Sequence, residues 1–83
     1  MVFHGQVQGV GFRWQASNLA RQRNLTGWVR NCDDGTVEME VQGPSADLDA
    51  LLADIRHMRY VRVDRVDVSD IPTVPEREFR VTY

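Results

Sequence analysis

Apolar residues recur along the chain with two different periods, one typical of strands and one typical of helices. Alternation of apolar and polar positions predicts five strands, at residues 1–7, 25–31, 36–42, 61–69 and 76–83. The pattern is most regular in the third segment, where Val37, Met39 and Val41 alternate with polar residues. In the fourth segment the apolar phase slips from odd to even positions. This slip predicts either a strand that begins near Asp64 or a β-bulge.

Two other segments carry the helical period. The first is predicted to begin at Phe12 and to end at Arg23, and Asn24 after it would take the left-handed cap conformation. Its apolar stripe consists of Phe12, Ala16, Leu19 and Ala20. The second helix is predicted to start with Ser45 as its N-cap and to end near His57. Its apolar stripe consists of Leu48, Leu51, Leu52, Ile55 and Met58. Residues 71–75 carry neither period and are predicted to form an extended connection.

The order of these elements predicts the fold class. It reads βαββαβ with an extra C-terminal strand, which is the ferredoxin-like arrangement of the α+β class. We expect a two-layer sandwich in which two helices cover one face of an antiparallel sheet, while the other face meets water. Residues 1–83 are predicted to form a single domain, because a chain of this length holds one core.

Composition and charge exclude several classes of protein. The 83 residues are 42% apolar and 27% charged, which is typical of a globular domain, and no apolar run reaches the roughly 18 residues that a membrane span needs. Cys32 is the single cysteine, so no internal disulfide is possible, and we expect a cytoplasmic monomer. The net charge of −2 argues against nucleic-acid and membrane partners.

A glycine-rich stretch between the first strand and the first helix is the strongest candidate for a functional site. The segment Gly5–Arg13 holds three of the six glycines in the chain. A turn of this kind directs backbone N–H groups and the positive end of a helix dipole toward one anion. Arg13 adds a planar fork of donors that matches a phosphoryl group. The predicted phosphate-binding residues are Gln8, Gly9, Val10, Gly11, Phe12 and Arg13.

The predicted topology brings a second residue to this loop. In a split β-α-β unit the first and second strands are parallel and the third runs between them, so the first two end at the same edge. Asn31, at the end of the second strand, should therefore lie close to the loop and Arg13. Taken alone, Asn31 before an Asp-Gly turn is better explained as an ordinary turn residue.

The residues of these segments resemble the acylphosphatase family almost end to end. The matching motifs are Gly5-x-Val7-Gln8-Gly9-Val10-x-Phe12-Arg13, Gly27-Trp28-Val29-Arg30-Asn31, Asp34-Gly35-x-Val37-Glu38 and Phe79-x-Val81-x-Tyr83. The resemblance implies an enzyme that hydrolyses the carboxyl–phosphate bond of acyl phosphates, with inorganic phosphate as a product. It also implies that Arg13 binds the phosphate together with the loop amides, and that Asn31 orients the attacking water. No cofactor or metal is expected, since this chemistry needs none.

Alternative functions remain open on the sequence. Acylphosphatase-like domains also occur as accessory parts of larger enzymes such as the hydrogenase maturation carbamoyltransferases, and a phosphate sensor without catalysis would carry the same motifs. A nucleic-acid-binding function is disfavoured by the acidic outward row at Glu38 and Glu40. A dinucleotide site is excluded because Trp14 takes the third glycine position of that motif. Trp14 and Trp28 are predicted to be packing residues rather than substrate contacts, with a position at the border of the pocket as the alternative for Trp14, which lies beside the loop. Cys32 is predicted to be an inert thiol in a turn.

Overall fold

The predicted order of elements is present in the structure, which is a computed structural model. It describes residues 1–9, 11–59, 61–75 and 77–82. The elements are β1 Val2–Gln6, α1 Phe12–Gln22, β2 Thr26–Asn31, β3 Val37–Gln42, α2 Ser45–Arg56, β4 Arg62–Asp67 and β5 Phe79–Val81. None of the helices within these residues is long and apolar enough to cross a membrane.

The five strands form one sheet in the order β4-β1-β3-β2-β5. β3 is antiparallel to both β1 and β2, so β1 and β2 are parallel to each other as predicted. β5 pairs in parallel with β2, which makes the sheet mixed, and the prediction of a wholly antiparallel sheet was wrong. The reason is that β4 and β5 lie at opposite edges, so the chain crosses the sheet before it enters β5 in the direction of β2. The side-chain amide of Gln42 holds the crossing segment by hydrogen bonds to both the N–H and the C=O of Val74.

The core lies between the two helices and one face of the sheet. Its buried apolar residues are Phe3, Val7, Phe12, Ala16, Ala20, Leu25, Val29, Val37, Met39, Leu51, Ile55 and Phe79. The other members of the two predicted helical stripes pack against this cluster at partial burial. The rings of Phe3 and Phe12 meet with their centroids 5.1 Å apart. This contact fixes β1 to the start of α1, and so holds both ends of the glycine loop.

A β-bulge explains the phase slip in the fourth strand. His4 pairs with Arg65 and the next residue, Gly5, pairs with Val63, so Asp64 is the extra residue on β4. The strand therefore begins at Arg62, and of the two predicted explanations the bulge is confirmed. Gly5 has φ +132°, and a Cβ placed there would lie 2.9 Å from the backbone N of Asp64. The bulge thus depends on glycine at this position.

Of three helix and strand boundaries, one agrees with the prediction and two differ from it. Asn24 has φ 56° and ends α1 in the left-handed conformation, as predicted. Pro44 rather than Ser45 holds the N-cap position of α2, because the Pro44 carbonyl already accepts hydrogen bonds from the N–H groups of Asp47 and Leu48. β5 begins at Phe79 and is shorter than predicted, while Val10, Tyr60, Glu76 and Tyr83 lie outside the described residues.

Candidate active site

The glycine loop connects two buried anchors. Val7 at its start is 1% exposed and Phe12 at its end is 2% exposed. Between them Gly9 and Gly11 adopt left-handed conformations with φ 74° and 76°, which only glycine takes without strain. Gly11 is the N-cap of α1, and the Gln15 N–H donates to its carbonyl oxygen at 3.0 Å. The loop therefore ends at a helix N-terminus.

This helix N-terminus has the electrostatic character of an anion site. The N–H groups of the first turn have no acceptor within an α-helix. The first turn of α1 contains no acidic residue, and the cap makes no side-chain hydrogen bond within the described residues. Positive partial charge from the helix dipole is thus left uncompensated by any carboxylate of that turn.

One cleft brings the loop together with residues from distant parts of the chain. It has a volume of about 250 Å³ and lies where the loop, the start of α1 and the ends of β2 and β5 meet. The described residues that line it are Val7, Gly9, Gly11, Phe12, Arg13, Trp14, Asn31 and Val81. None of these lining residues is acidic. Arg13 and Asn31, the two residues singled out on the sequence, therefore share this cleft.

Arg13 joins the start of α1 to the end of β5. Its Nη1 donates a hydrogen bond to the Thr82 carbonyl oxygen at 3.2 Å. About two turns further along α1, Arg21 donates from Nε and Nη2 to the Phe79 carbonyl oxygen at 3.2 and 2.9 Å. These bonds hold β5 against α1, so that Val81 forms a wall of the cleft and the guanidinium of Arg13 lies beside it.

The backbone of Asn31 is fixed by the hairpin that follows it. Asn31 ends β2 and pairs in register with Val37 of β3. The turn is closed by hydrogen bonds from the Gly35 N–H to the Cys32 carbonyl oxygen at 3.2 Å and from the Cys32 N–H to the Thr36 carbonyl oxygen at 2.9 Å. The hairpin therefore presents the half-buried Asn31 side chain to the cleft from a rigid backbone.

Gln8 contacts this hairpin rather than the cleft. Its Nε2 donates to the carbonyl oxygens of Cys32 and Thr36 at 2.7 and 2.8 Å, and Gln8 is not among the residues that line the cleft. The side chain of this predicted phosphate-binding residue thus ties the loop to the turn that carries Asn31. Val10, also predicted to bind phosphate, lies outside the described residues.

Thr36, which directly precedes β3, is a buried polar residue that supports the turn. It is only 7% exposed, and its N–H and Oγ1 donate to Asp34 Oδ1 at 3.0 and 2.6 Å. The Thr36 hydroxyl is the main cause, and its backbone N–H the second, of a lowered pKa of the Asp34 carboxyl. The same residue accepts the bond from Gln8, so the turn and the loop share one hydrogen-bond network.

The packing role predicted for Trp14 is wrong. Its side chain is 69% exposed and lines the cleft next to Arg13. The sequence held a signal for this, because position 14 does not fall on the apolar stripe of α1. Trp28 is half-buried on the sheet, with the Arg30 guanidinium carbon 5.4 Å from its ring centroid.

Within the described ranges no three His, Cys, Asp or Glu side chains are grouped so that they could hold a metal ion. The thiol of Cys32 is half-buried in the turn after Asn31.

Fold and site together define a small ferredoxin-like protein with an arginine, an asparagine and a helix N-terminus at one cleft. The sequence profile of the acylphosphatase family matches residues 1–81. The chain therefore belongs to the acylphosphatase family, whose enzymes hydrolyse acyl phosphates.

Individual relatives agree with this assignment. The acylphosphatase of Geobacillus kaustophilus is 43% identical over an 85-residue alignment that covers 100% of this chain and 90% of the relative. The crystal structure of acylphosphatase from Bacillus subtilis superposes with a TM-score of 0.93 at 32% identity, covering 99% of this chain and 93% of that one. T. kodakarensis HypF matches with a TM-score of 0.87 at 32% identity, covering 99% of this chain but 11% of HypF.

Proposed function

We propose that this protein hydrolyses the carboxyl–phosphate bond of small acyl phosphates at the cleft between the loop, β2 and β5. The products are a carboxylate and inorganic phosphate. The observation that carries the proposal is that Arg13 and Asn31 line one cleft at the N-terminus of α1. The guanidinium of Arg13 can bind the charged phosphoryl group there, while the carboxamide of Asn31 can position a water molecule next to the phosphorus atom.

The loop and Arg13 bind the phosphoryl group in this mechanism. Backbone N–H groups of residues 8–13 donate to its oxygens, and the guanidinium supplies charge-assisted hydrogen bonds. Charge on the equatorial oxygens is neutralised at the moment of transfer, which is the main catalytic requirement of phosphoryl transfer. The bond from Arg13 to the Thr82 carbonyl oxygen supports this role, because it holds the guanidinium beside the cleft before substrate arrives.

Asn31 positions the attacking water. Its carboxamide offers an acceptor oxygen and a donor nitrogen, so it can orient a water molecule without taking a proton. The water oxygen bonds to phosphorus while the bond from phosphorus to the acyl oxygen breaks, and the electron pair leaves with the carboxylate. Carboxylic acids have pKa values near 4, so this leaving group departs without a general acid. The proton of the water ends on phosphate or solvent.

Two substitutions test these roles with benzoyl phosphate as substrate and inorganic phosphate as competitive inhibitor. Asn31→Ala should lower kcat by about 10²–10³-fold and leave phosphate inhibition nearly unchanged. Arg13→Ala should abolish both phosphate inhibition and turnover. Matched controls are Asn18→Ala on α1 and Arg62→Ala on β4, neither of which lines the cleft. Near-normal turnover by Asn31→Ala would contradict the mechanism.

A non-catalytic or accessory role is the second candidate. It is supported by the match to a segment that makes up 11% of T. kodakarensis HypF. Turnover of benzoyl phosphate by the chain alone separates the two candidates. Inhibition constants cannot be measured on a protein without turnover. Calorimetry with inorganic phosphate would therefore identify a protein that binds phosphate and does not hydrolyse benzoyl phosphate.

We further propose that the protein works as a cytoplasmic monomer without metal, cofactor, nucleic acid or membrane. The chemistry needs only a positioned water and a neutralised phosphoryl group, which supports metal independence. Residues 1–83 are proposed to act as one domain. Unchanged turnover after exhaustive dialysis against EDTA, and elution at the monomer mass, are the expected results.

A further inference from the structure

Trp14 is the most exposed large apolar residue of the described chain, and it lies at the cleft. Its 69% exposure exceeds that of Val68, Ile71 and Val74, the other exposed large apolar residues. A tryptophan normally buries much of its large ring, so a ring left in water at the edge of a cleft is available for contact with a ligand bound there. The phosphoryl mechanism makes no use of this side chain.

The neighbours of Trp14 determine which part of a substrate it can touch. Arg13 precedes it on the first turn of α1, and both residues line the cleft that holds the predicted phosphoryl site. Val7 and Phe12 are buried at 1% and 2% exposure and form the floor of the cleft. Val81, half-buried on β5, is the remaining apolar residue among the described ones that line the cleft. Among the described residues, Trp14 and Val81 therefore supply most of the apolar surface that a ligand in the cleft can reach.

We propose that Trp14, with Val81, forms a subsite for the acyl group and selects acyl phosphates with aromatic or bulky apolar acyl groups over acetyl phosphate. This inference rests on the proposed function for its substrate class. An acyl phosphate carries its organic group on the far side of the bridging oxygen from the phosphoryl oxygens. When the phosphoryl group lies on the loop and Arg13, the organic group must leave the site along the rim. A flat apolar ring at this rim favours a flat or bulky apolar group by contact and by loss of water.

The test uses two phosphonates that present the same phosphoryl group and are not hydrolysed. Phenylphosphonate carries an aromatic ring and methylphosphonate a single carbon, and calorimetry gives their Kd values for the wild type and for Trp14→Ala. The wild type should bind phenylphosphonate about tenfold more tightly than methylphosphonate, and Trp14→Ala should lose this preference. The Kd of methylphosphonate should change by less than about twofold. Trp14→Phe should keep most of the preference, while Trp28→Ala is the matched control and should keep all of it.

Several outcomes would overturn the inference. The wild type could bind neither phosphonate, or bind both with the same Kd. The preference for phenylphosphonate could survive in Trp14→Ala, or this variant could lose affinity for both phosphonates equally. The last result would mean that Trp14 acts through the geometry of the loop. Because binding is measured without turnover, failure to hydrolyse benzoyl phosphate would refute the proposed function and leave this preference measurable. Thermal unfolding of Trp14→Ala verifies folding, which we expect to be unaffected for so exposed a side chain.

Discussion

The hydrogen bonds between Gln8 and the hairpin give the sharpest test of how the site is held together. Gln8→Met keeps the length of the side chain and removes both donors. The Cys32 and Thr36 carbonyl oxygens each keep one backbone partner, from the N–H groups of Gly35 and Cys32 respectively. No carbonyl is therefore left without a hydrogen bond. The loss is two net hydrogen bonds at about 0.5–1.5 kcal/mol each, or about 2 kcal/mol of unfolding free energy. For a domain of this size this lowers Tm by roughly 10 °C.

The functional effect of Gln8→Met should exceed what lost stability explains. Gln8 joins the phosphate loop to the turn after Asn31, so its removal lets the two halves of the site move relative to each other. Misplacement of a reacting group by about 1 Å can cost on the order of 10²-fold in rate. We expect kcat for benzoyl phosphate to fall by about tenfold or more at a temperature where the variant is fully folded. Inhibition by inorganic phosphate should weaken by less than about threefold, because the loop and Arg13 are retained.

Gln42→Met is the matched control for this experiment. Gln42 also makes two hydrogen bonds through its side-chain amide, to the backbone of Val74 and away from the cleft. Its substitution should reduce stability comparably and leave kcat unchanged. If Gln8→Met and Gln42→Met have the same kcat as the wild type, the Gln8 bonds only stabilise the fold, and the positioning argument is refuted.

Two further predictions concern the bulge and the turn. Gly5→Ala should destabilise the fold by about 3 kcal/mol or more, measured by urea unfolding, since at φ +132° its Cβ would meet the Arg62 carbonyl oxygen and the backbone N of Asp64. Gly9→Ala should cost only about 1–2 kcal/mol, because no atom of the described chain beyond the neighbours of Gly9 would lie within 4 Å of the new Cβ. Bonds from Thr36 lower the pKa of Asp34 below 3.8, so their contribution to stability is present above the unfolded pKa and is lost as pH falls through the folded one. A carboxyl NMR titration should place that pKa below 3.8, and Thr36→Val should raise it; an unchanged midpoint in the variant would contradict the assigned cause.

Local periodicity predicted the elements well because burial on one face imposes it directly. The stripes of both helices and the inward row of β3 lie against one core, as their spacing indicates. The bulge at Asp64 was also visible, because an extra residue must shift the apolar phase. Ser45 was misplaced because its side chain suits an N-cap, while the hydrogen bonds to the Pro44 carbonyl start the helix one residue earlier.

Features that depend on the path of irregular segments could not be predicted. The connection between β4 and β5 has no period, so nothing in it says which edge of the sheet it reaches or whether β5 runs parallel to β2. Gln8 lies in a loop, where no face pattern gives the direction of a side chain. Convergence of Arg13 and Asn31 was predictable only because the topology of the first three strands leaves one arrangement. For Trp14 two indications opposed each other. Its position off the apolar stripe of α1 favoured exposure, while the size of its apolar ring favoured burial.

The hydrogen bonds from α1 to β5 also bear on the stage of synthesis and folding at which the cleft can form. Arg13 reaches the Thr82 carbonyl oxygen across 69 positions, and Arg21 reaches that of Phe79 across 58. Before β5 has been synthesised and paired, the glycine loop can form, but it lacks the Val81 wall and the carbonyl groups that hold both arginines. Contacts so distant in sequence form only after the entropy of closing the intervening chain has been overcome. We therefore expect the cleft to be completed only once β5 has paired with β2, so that a nascent chain carries the loop before it carries the site.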